Sequence, residues 1–159
     1  MGSRRPNRDQ KGAARALAQR LGHDFANVQL LRLALVHRSA FAEEQLAESN
    51  ERLEFLGDSV LGLVITDALY RRRSEQAEGR LARARAELVD ETTLAEAARR
   101  IDVGSALRLG RGEDTSGGRD KASILADATE ALIGAVYLAG GFEAARRVVI
   151  GLLELVFDQ

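Results

Sequence analysis

Two long stretches of this chain repeat apolar residues at helical spacing, and each is interrupted by carboxylates on one side. In the first, residues 50–72, Leu53, Leu56, Val60, Leu61, Val64, Ile65, Ala68 and Leu69 recur three and four positions apart, the spacing of one face of an α-helix. In the second, residues 123–141, Ile124, Leu125, Ala128, Leu132, Ala135, Val136 and Leu138 do the same. Between Ile124 and Ala139 only Asp127 and Glu130 are charged. A surface helix shows a broad polar face. This stretch lacks one, so it is expected to be buried, with its two acids aimed into a shared interior or interfacial site.

Shorter helices are predicted over 12–21, stopped by Gly22, and over 28–36. Another is predicted over 79–89, with Arg80, Arg83 and Arg85 on its polar side, and a further one runs to Arg100 from a cap at Asp90 or Thr92. Ser49 or Asn50 can cap the first acidic helix. Gly140-Gly141 ends the second, and Phe142 is the first apolar anchor of a last helix over 142–157. Residues 37–48 read as a lead into the first acidic helix, and 102–120 as one long glycine-rich loop. No stretch alternates like a strand and no repeat is present, so the fold class expected is all-α.

The acids carry the candidate chemistry. At about 100° per residue, Glu51, Glu54 and Asp58 fall within an arc of roughly 60°, and Glu54 and Asp58 stack one turn apart. Asp127 and Glu130, three apart, share a face. An ionised carboxylate in apolar surroundings is costly unless a cation neutralises it, and neither helix offers enough Lys or Arg for simple pairing. A divalent metal is the simplest answer, and metals held by carboxylates point toward phosphoryl chemistry. Solvated helix acids or structural ion pairs are the plainer alternative. His23 and His37 read as structural: neither stands three residues after an acid, so the Glu-x-x-His pattern of di-iron bundles is absent.

Composition narrows the class. The chain has 159 residues, 45% hydrophobic and 30% charged, with one proline and no cysteine, which suits one soluble helical domain. Absence of cysteine fits a reducing compartment, and no apolar leader is evident, so a cytoplasmic location is expected. The apolar helices are broken by acids before about 18 clean residues, which argues against membrane spans. The net charge of −1 counts against simple electrostatic binding of nucleic acid, although metals would offset the clustered acids. Arg4, Arg5, Arg8 and Lys11 make residues 1–11 a basic, flexible start, with one domain over 12–159.

Asn50-Glu51-Arg52-Leu53-Glu54-Phe55-Leu56-Gly57-Asp58 closely resembles the signature of the ribonuclease III endonuclease domain. Leu35-Val36-His37-Arg38-Ser39 is similar to the segment upstream of that signature. The run from Gly117 through Asp127, continued by Glu130 to Leu138, is similar to the family's second acidic helix. The likeness spans roughly residues 17–157.

The resemblance implies an all-α domain that dimerises and cleaves double-stranded RNA in RNA processing, rRNA included. The reaction it implies is two-metal hydrolysis with Mg²⁺, for which Mn²⁺ can substitute, giving 5′-phosphate and 3′-hydroxyl ends. By position, Glu54, Asp58, Asp127 and Glu130 are the implied metal ligands, and Glu51 an accessory acid acting through water. Glu78 matches another acid near the site, and Phe55 the aromatic that inserts into the partner subunit. Arg119 and Lys121, just before the second acidic helix, are candidates for phosphate contact. Two departures stand out. No double-stranded-RNA-binding domain follows within these residues, and Ala139 stands where the family often has Asp. A non-catalytic RNA-binding relative and an all-α Mg²⁺-dependent nucleotide pyrophosphatase are the rival readings.

Overall fold

The computed structural model describes residues 8–157. Nine α-helices are present among them: α1 Arg8–Leu21, α2 Val28–Ala34, α3 Arg38–Glu44, α4 Glu51–Arg72, α5 Glu78–Leu88, α6 Glu91–Arg100, α7 Val103–Ala106, α8 Arg111–Thr115 and α9 Ala122–Phe157. A 3₁₀ turn at Gly118–Asp120 precedes α9. The only strand-like pairing among the described residues is an isolated bridge between Val36 and Arg108, so the all-α expectation holds.

Helix α9 is the axis. Gly141, at φ 82° and ψ −175°, breaks it where the glycine pair lies in the sequence. Its first part carries Leu125, Ala128, Ala131, Leu132, Ile133, Ala135 and Val136 into the core. Helix α4 lies along it in the most extensive helix contact of the protein, and α6 and α2 cover further sides. That enclosure explains why the second acidic stretch has no polar face. By length and composition 122–154 could cross a bilayer, with mean hydropathy 1.4. The interrupting acids therefore do not lower its apolarity as far as the sequence reading held. Most of it is buried inside the protein instead. Leu138, expected in the core, is 53% exposed.

Local structure departs from the expected elements in three places, and at the start of α4 it selects between two expected caps. Helix α1 begins at Arg8, so 8–11 belong to it rather than to a flexible start; residues 1–7 lie outside the described part. Residues 38–44 form α3, capped by the His37 ring, which accepts from Ser39 N, and closed by Gln45 in the left-handed region. The long loop contains α7, α8 and the 3₁₀ turn. At the start of α4, Ser49 Oγ accepts from Glu51 N at 3.3 Å. Asn50 instead turns inward and donates from Nδ2 to Ala34 O at 3.1 Å. Asp90 caps α6 as expected, accepting from Thr93 N at 2.7 Å.

Candidate active site

Helices α4 and α9 cross with their backbones in contact. A Cβ on Gly57 would lie 1.7 Å from the carbonyl oxygen of Glu130, and one on Gly134 would lie 2.4 Å from that of Leu53. No side chain fits at such distances, so glycine at both positions sets how closely the helices approach. Glu54 and Asp58 flank Gly57, and Asp127 and Glu130 lie within two turns of Gly134. The crossing therefore brings Glu54 within hydrogen-bonding reach of Asp127, and Glu130 within reach of Asp58. The four carboxylates singled out in the sequence meet at one place, contributed by two segments far apart in the chain.

Their environment resists four negative charges. Burial pushes the Glu130 carboxyl up to about 8, with the charges of Asp58, Glu54 and Asp127 adding to it. Burial likewise lifts Glu54 to about 7, helped by Asp127, Glu51 and Asp58, and it also raises Asp127. None of the four takes part in an ion pair with Lys, Arg or His among the described residues. Nor do three or more Asp, Glu, His or Cys side chains there close into a ready-made metal cage. The result is an open, oxygen-only donor set with uncompensated charge. Mg²⁺ suits such a set, because it keeps several waters and takes one or two carboxylates plus substrate oxygens.

A cleft of about 340 Å³ opens beside the crossing, lined by Glu51, Glu54 and Asp127 together with His37, Arg38 and Lys121. Asp58 and Glu130 lie outside its lining, Asp58 exposed and Glu130 half-buried. Glu51, the first residue of α4, is exposed, and Ser49 Oγ donates to its Oε1 at 3.2 Å. Sequence reasoning missed Gly57 and Gly134, whose signal was a glycine inside an otherwise strong helix. It also assigned His37 a purely structural role, whereas the ring lines the cleft; burial there lowers its pKa. No local pattern marks that placement, which depends on contacts with residues 108–110.

The remaining predicted residues separate. Lys121 lines the cleft and lies 3.9 Å from Glu113. Arg119 has its guanidinium committed elsewhere: it donates to Gly104 O at 3.0 Å and Leu107 O at 2.7 Å, and pairs with Asp114 at 2.8 Å. It is a staple of the loop, and the phosphate contact expected of it is corrected accordingly. Glu78 opens α5 and lines a different cavity, of about 240 Å³, with Thr66, Leu69, Tyr70 and Leu81. Within one protomer it does not join the acid cluster. Phe55 points away from the core and is 80% exposed, beside Leu63 at 57% and Tyr70 at 73% on the same helix.

Comparison with known proteins accords with this arrangement. A family model described as Ribonuclease-III-like matches residues 27–154. The chain is 54% identical over 145 residues to Ribonuclease 3 of Caldanaerobacter subterraneus subsp. tengcongensis, covering 90% of this chain and 63% of that protein. It is 52% identical over 143 residues to Ribonuclease 3 of Streptomyces coelicolor, covering 90% and 51%. The chain thus spans less than two thirds of the length of these curated relatives. The solved nuclease domain of ribonuclease III from Campylobacter jejuni superposes with a TM-score of 0.85 at 40% identity, covering 91% of this chain and 98% of that one. A second structure of that domain gives 0.84 at 41% identity, covering 91% and 96%. With the two acidic helices, their glycine crossing and the upstream segment all inside the matched region, the chain belongs to the ribonuclease-III-like family.

Proposed function

We propose that this chain is the catalytic unit of a Mg²⁺-dependent endoribonuclease that hydrolyses double-stranded RNA as a homodimer, acting in cytoplasmic RNA processing that includes rRNA. The observation that carries the reading is the convergence of Glu54, Asp58, Asp127 and Glu130 at the α4–α9 crossing, none of them in an ion pair among the described residues. Those four residues are the ones to hold the metal ions. Mg²⁺, when bound, supplies charge neutralisation and activation of water, and Mn²⁺ accepts similar oxygen ligands.

The side chains around the site do the rest. Glu51, tethered by Ser49, orients water at the mouth of the cleft. Lys121 and Arg38 on the rim attract the phosphate. Water attacks phosphorus in line: a new P–O bond forms, the bond to the 3′ oxygen breaks, and that oxygen takes a proton. The products carry 5′-phosphate and 3′-hydroxyl ends, and no Ser, Cys or His nucleophile is required. Recognition rests on the A-form shape, phosphates and 2′-hydroxyls of the duplex rather than on base sequence.

The exposed apolar face of α4 supports a dimer, since contiguous exposed apolar surface marks interaction sites. The 240 Å³ cavity lined by Leu69, Tyr70 and Leu81 offers a socket for Phe55 of a second copy. A region involved in dimer formation is also named for the nuclease domain of the Campylobacter jejuni relative. Each subunit then cuts one strand.

Glu130→Gln tests the catalytic reading, because it preserves shape and removes a charged ligand. Cleavage of end-labelled duplex RNA in Mg²⁺ is expected to fall by well over 100-fold, since even residues behind a ligand cost about 10–100-fold. Partial recovery in Mn²⁺ is expected. Cleavage at the unmutated rate, or hydrolysis of nucleoside triphosphates in place of RNA, overturns the reading. Phe55→Glu tests the dimer. A buried anchor is worth about 2 kcal/mol or more, so sedimentation equilibrium should show dimer association weakened by about 30-fold or more. An unmutated chain that stays monomeric at micromolar concentration refutes the homodimer.

A further inference from the structure

His37 is held in one tautomer by a chain of hydrogen bonds from a distant loop. Gly110 N donates to Ser39 Oγ at 2.9 Å. Ser39 Oγ lies 2.7 Å from His37 Nδ1, and Ser39 N donates to the same Nδ1 at 3.1 Å. A backbone N–H can only donate, so Nδ1 is the acceptor. The serine hydroxyl then gives its single proton to Nδ1 and uses a lone pair for Gly110. The ring proton therefore sits on Nε2.

The backbone fixes the ring as firmly as the side chains do. His37 N donates to Arg108 O at 3.1 Å, and Asn50 N donates to Val36 O at 2.8 Å. Arg108 pairs with Glu44, and Arg111 N donates to Glu43 Oε2 at 2.8 Å. Helix α3 and the loop thus hold the imidazole against the cleft that also carries Glu54 and Asp127. Nε2 has no hydrogen-bond partner among the described residues, and it is not sealed from solvent. A directional donor, locked from behind, shares the cleft with Glu54 and Asp127 and with two cationic residues, Arg38 and Lys121.

We propose that His37 is a specificity-determining residue whose Nε2–H donates to an oxygen of the ribose–phosphate backbone of duplex RNA lying in this cleft. The inference rests on the endoribonuclease reading above. Arg38 and Lys121 supply charge, which draws any polyanion; His37 supplies a fixed direction, which fixes where along the backbone the strand sits relative to Glu54 and Asp127. Two backbone oxygens fit this chemistry, a non-bridging phosphate oxygen and a ribose 2′-hydroxyl, and the experiment separates them.

The test uses His37→Asn. Asparagine is among the best N-caps, so it keeps the start of α3 while removing the donor from the cleft. Affinity for a duplex RNA is measured by fluorescence anisotropy in the Glu130→Gln background, where cleavage is disabled. Loss of one hydrogen bond to RNA predicts affinity weaker by about tenfold, with a melting temperature near that of the parent. His37→Asp, a second capping residue without a donor, carries the measurement should the Asn variant misfold. His37→Gln, whose amide reaches toward the Nε2 position, should recover most of the affinity. Duplexes with one 2′-deoxy or one methylphosphonate substitution near the cleavage site identify the oxygen. The critical substitution weakens binding to the parent and adds no further loss in the His37 variant. Unchanged affinity in His37→Asn, or additive losses at every substituted position, overturns the inference. Should the unmutated chain neither bind nor cleave duplex RNA, the endoribonuclease reading itself fails. Should it cleave while His37→Asn binds normally, only the role of His37 falls.

Discussion

Charged residues near the cleft are handled in two opposite ways. In the segment from Arg108 to Lys121 and the facing helix α3, charges meet their opposites: Arg108 with Glu44, Arg111 with Glu43, Arg119 with Asp114 and Lys121 with Glu113. At the α4–α9 crossing, four carboxylates meet one another, and none of them forms an ion pair among the described residues. The first set is complete within the chain and holds a loop in shape. The second is left out of balance, which folding alone does not favour. A charge cluster left without ion pairs, at the closest approach of α4 and α9, is a place where something else supplies the missing charge.

The largest effect on this contrast is expected from Gly57→Ala. Its Cβ would collide with the Glu130 carbonyl, and overpacking at a backbone contact costs about 3 kcal/mol. The helices must move apart, so Glu54 and Asp58 lose their reach to Asp127 and Glu130. Thermal unfolding should show the lost stability, and calorimetric titration with Mg²⁺ should show weakened binding. Unaltered Mg²⁺ affinity would mean that the crossing does not set the spacing of the acids.

Next comes the joint effect of pH and metal. Glu54 and Glu130 have folded-state pKa values of about 7 and 8, above the ordinary 4.5. The folded state therefore holds more protons than the unfolded one across this window. The contribution of these two groups to the stability of the metal-free protein is fully present below about pH 4.5 and is lost as pH rises toward 8. Mg²⁺ must displace those protons, so it should raise the melting temperature strongly at pH 8 and little at pH 5. At 100 times the dissociation constant the gain is about 2.7 kcal/mol. A metal-free melting temperature that rises from pH 5 to pH 8 contradicts the unbalanced-charge account.

Arg119→Ala sharpens the contrast from the paired side. It removes two bonds to carbonyls and one half-exposed ion pair, for a loss of about 1–2 kcal/mol. Scanning calorimetry should show a melting temperature lower by a few degrees, and Mg²⁺ should not restore the difference. A complete rescue by Mg²⁺ would place Arg119 in the metal-dependent part of the protein.

What was legible in the sequence follows from what is local. Helices α4 and α9 announce themselves because their apolar spacing is sustained, and the break at Gly141 because a glycine pair interrupts it. The four acids were found because their faces follow from helical geometry alone. Helix α3 was not read, because seven residues with one buried side chain, Ala40, carry almost no periodicity. Glu43 and Glu44 tie it to Arg111 and Arg108, partners that lie far along the chain. The same distance hid the role of His37, set by Gly110 through Ser39. Arg119 was misread because a cation beside a helix start looks alike whether or not its donors are already engaged. Glu78 matched a family position, and the single chain gives it no acidic neighbours at the crossing.

The glycine crossing also has a consequence in time. A ribosome releases Glu54 and Asp58 long before it reaches Asp127, Glu130 and Gly134. Until α9 has emerged and docked, the nascent polypeptide carries only half of its carboxylates and no surface on which to seat them. On the endoribonuclease reading proposed above, the site stays incomplete until α9 has left the ribosome and packed against α4. Separating the two halves of the site along the chain thus ties its assembly to the emergence and docking of α9.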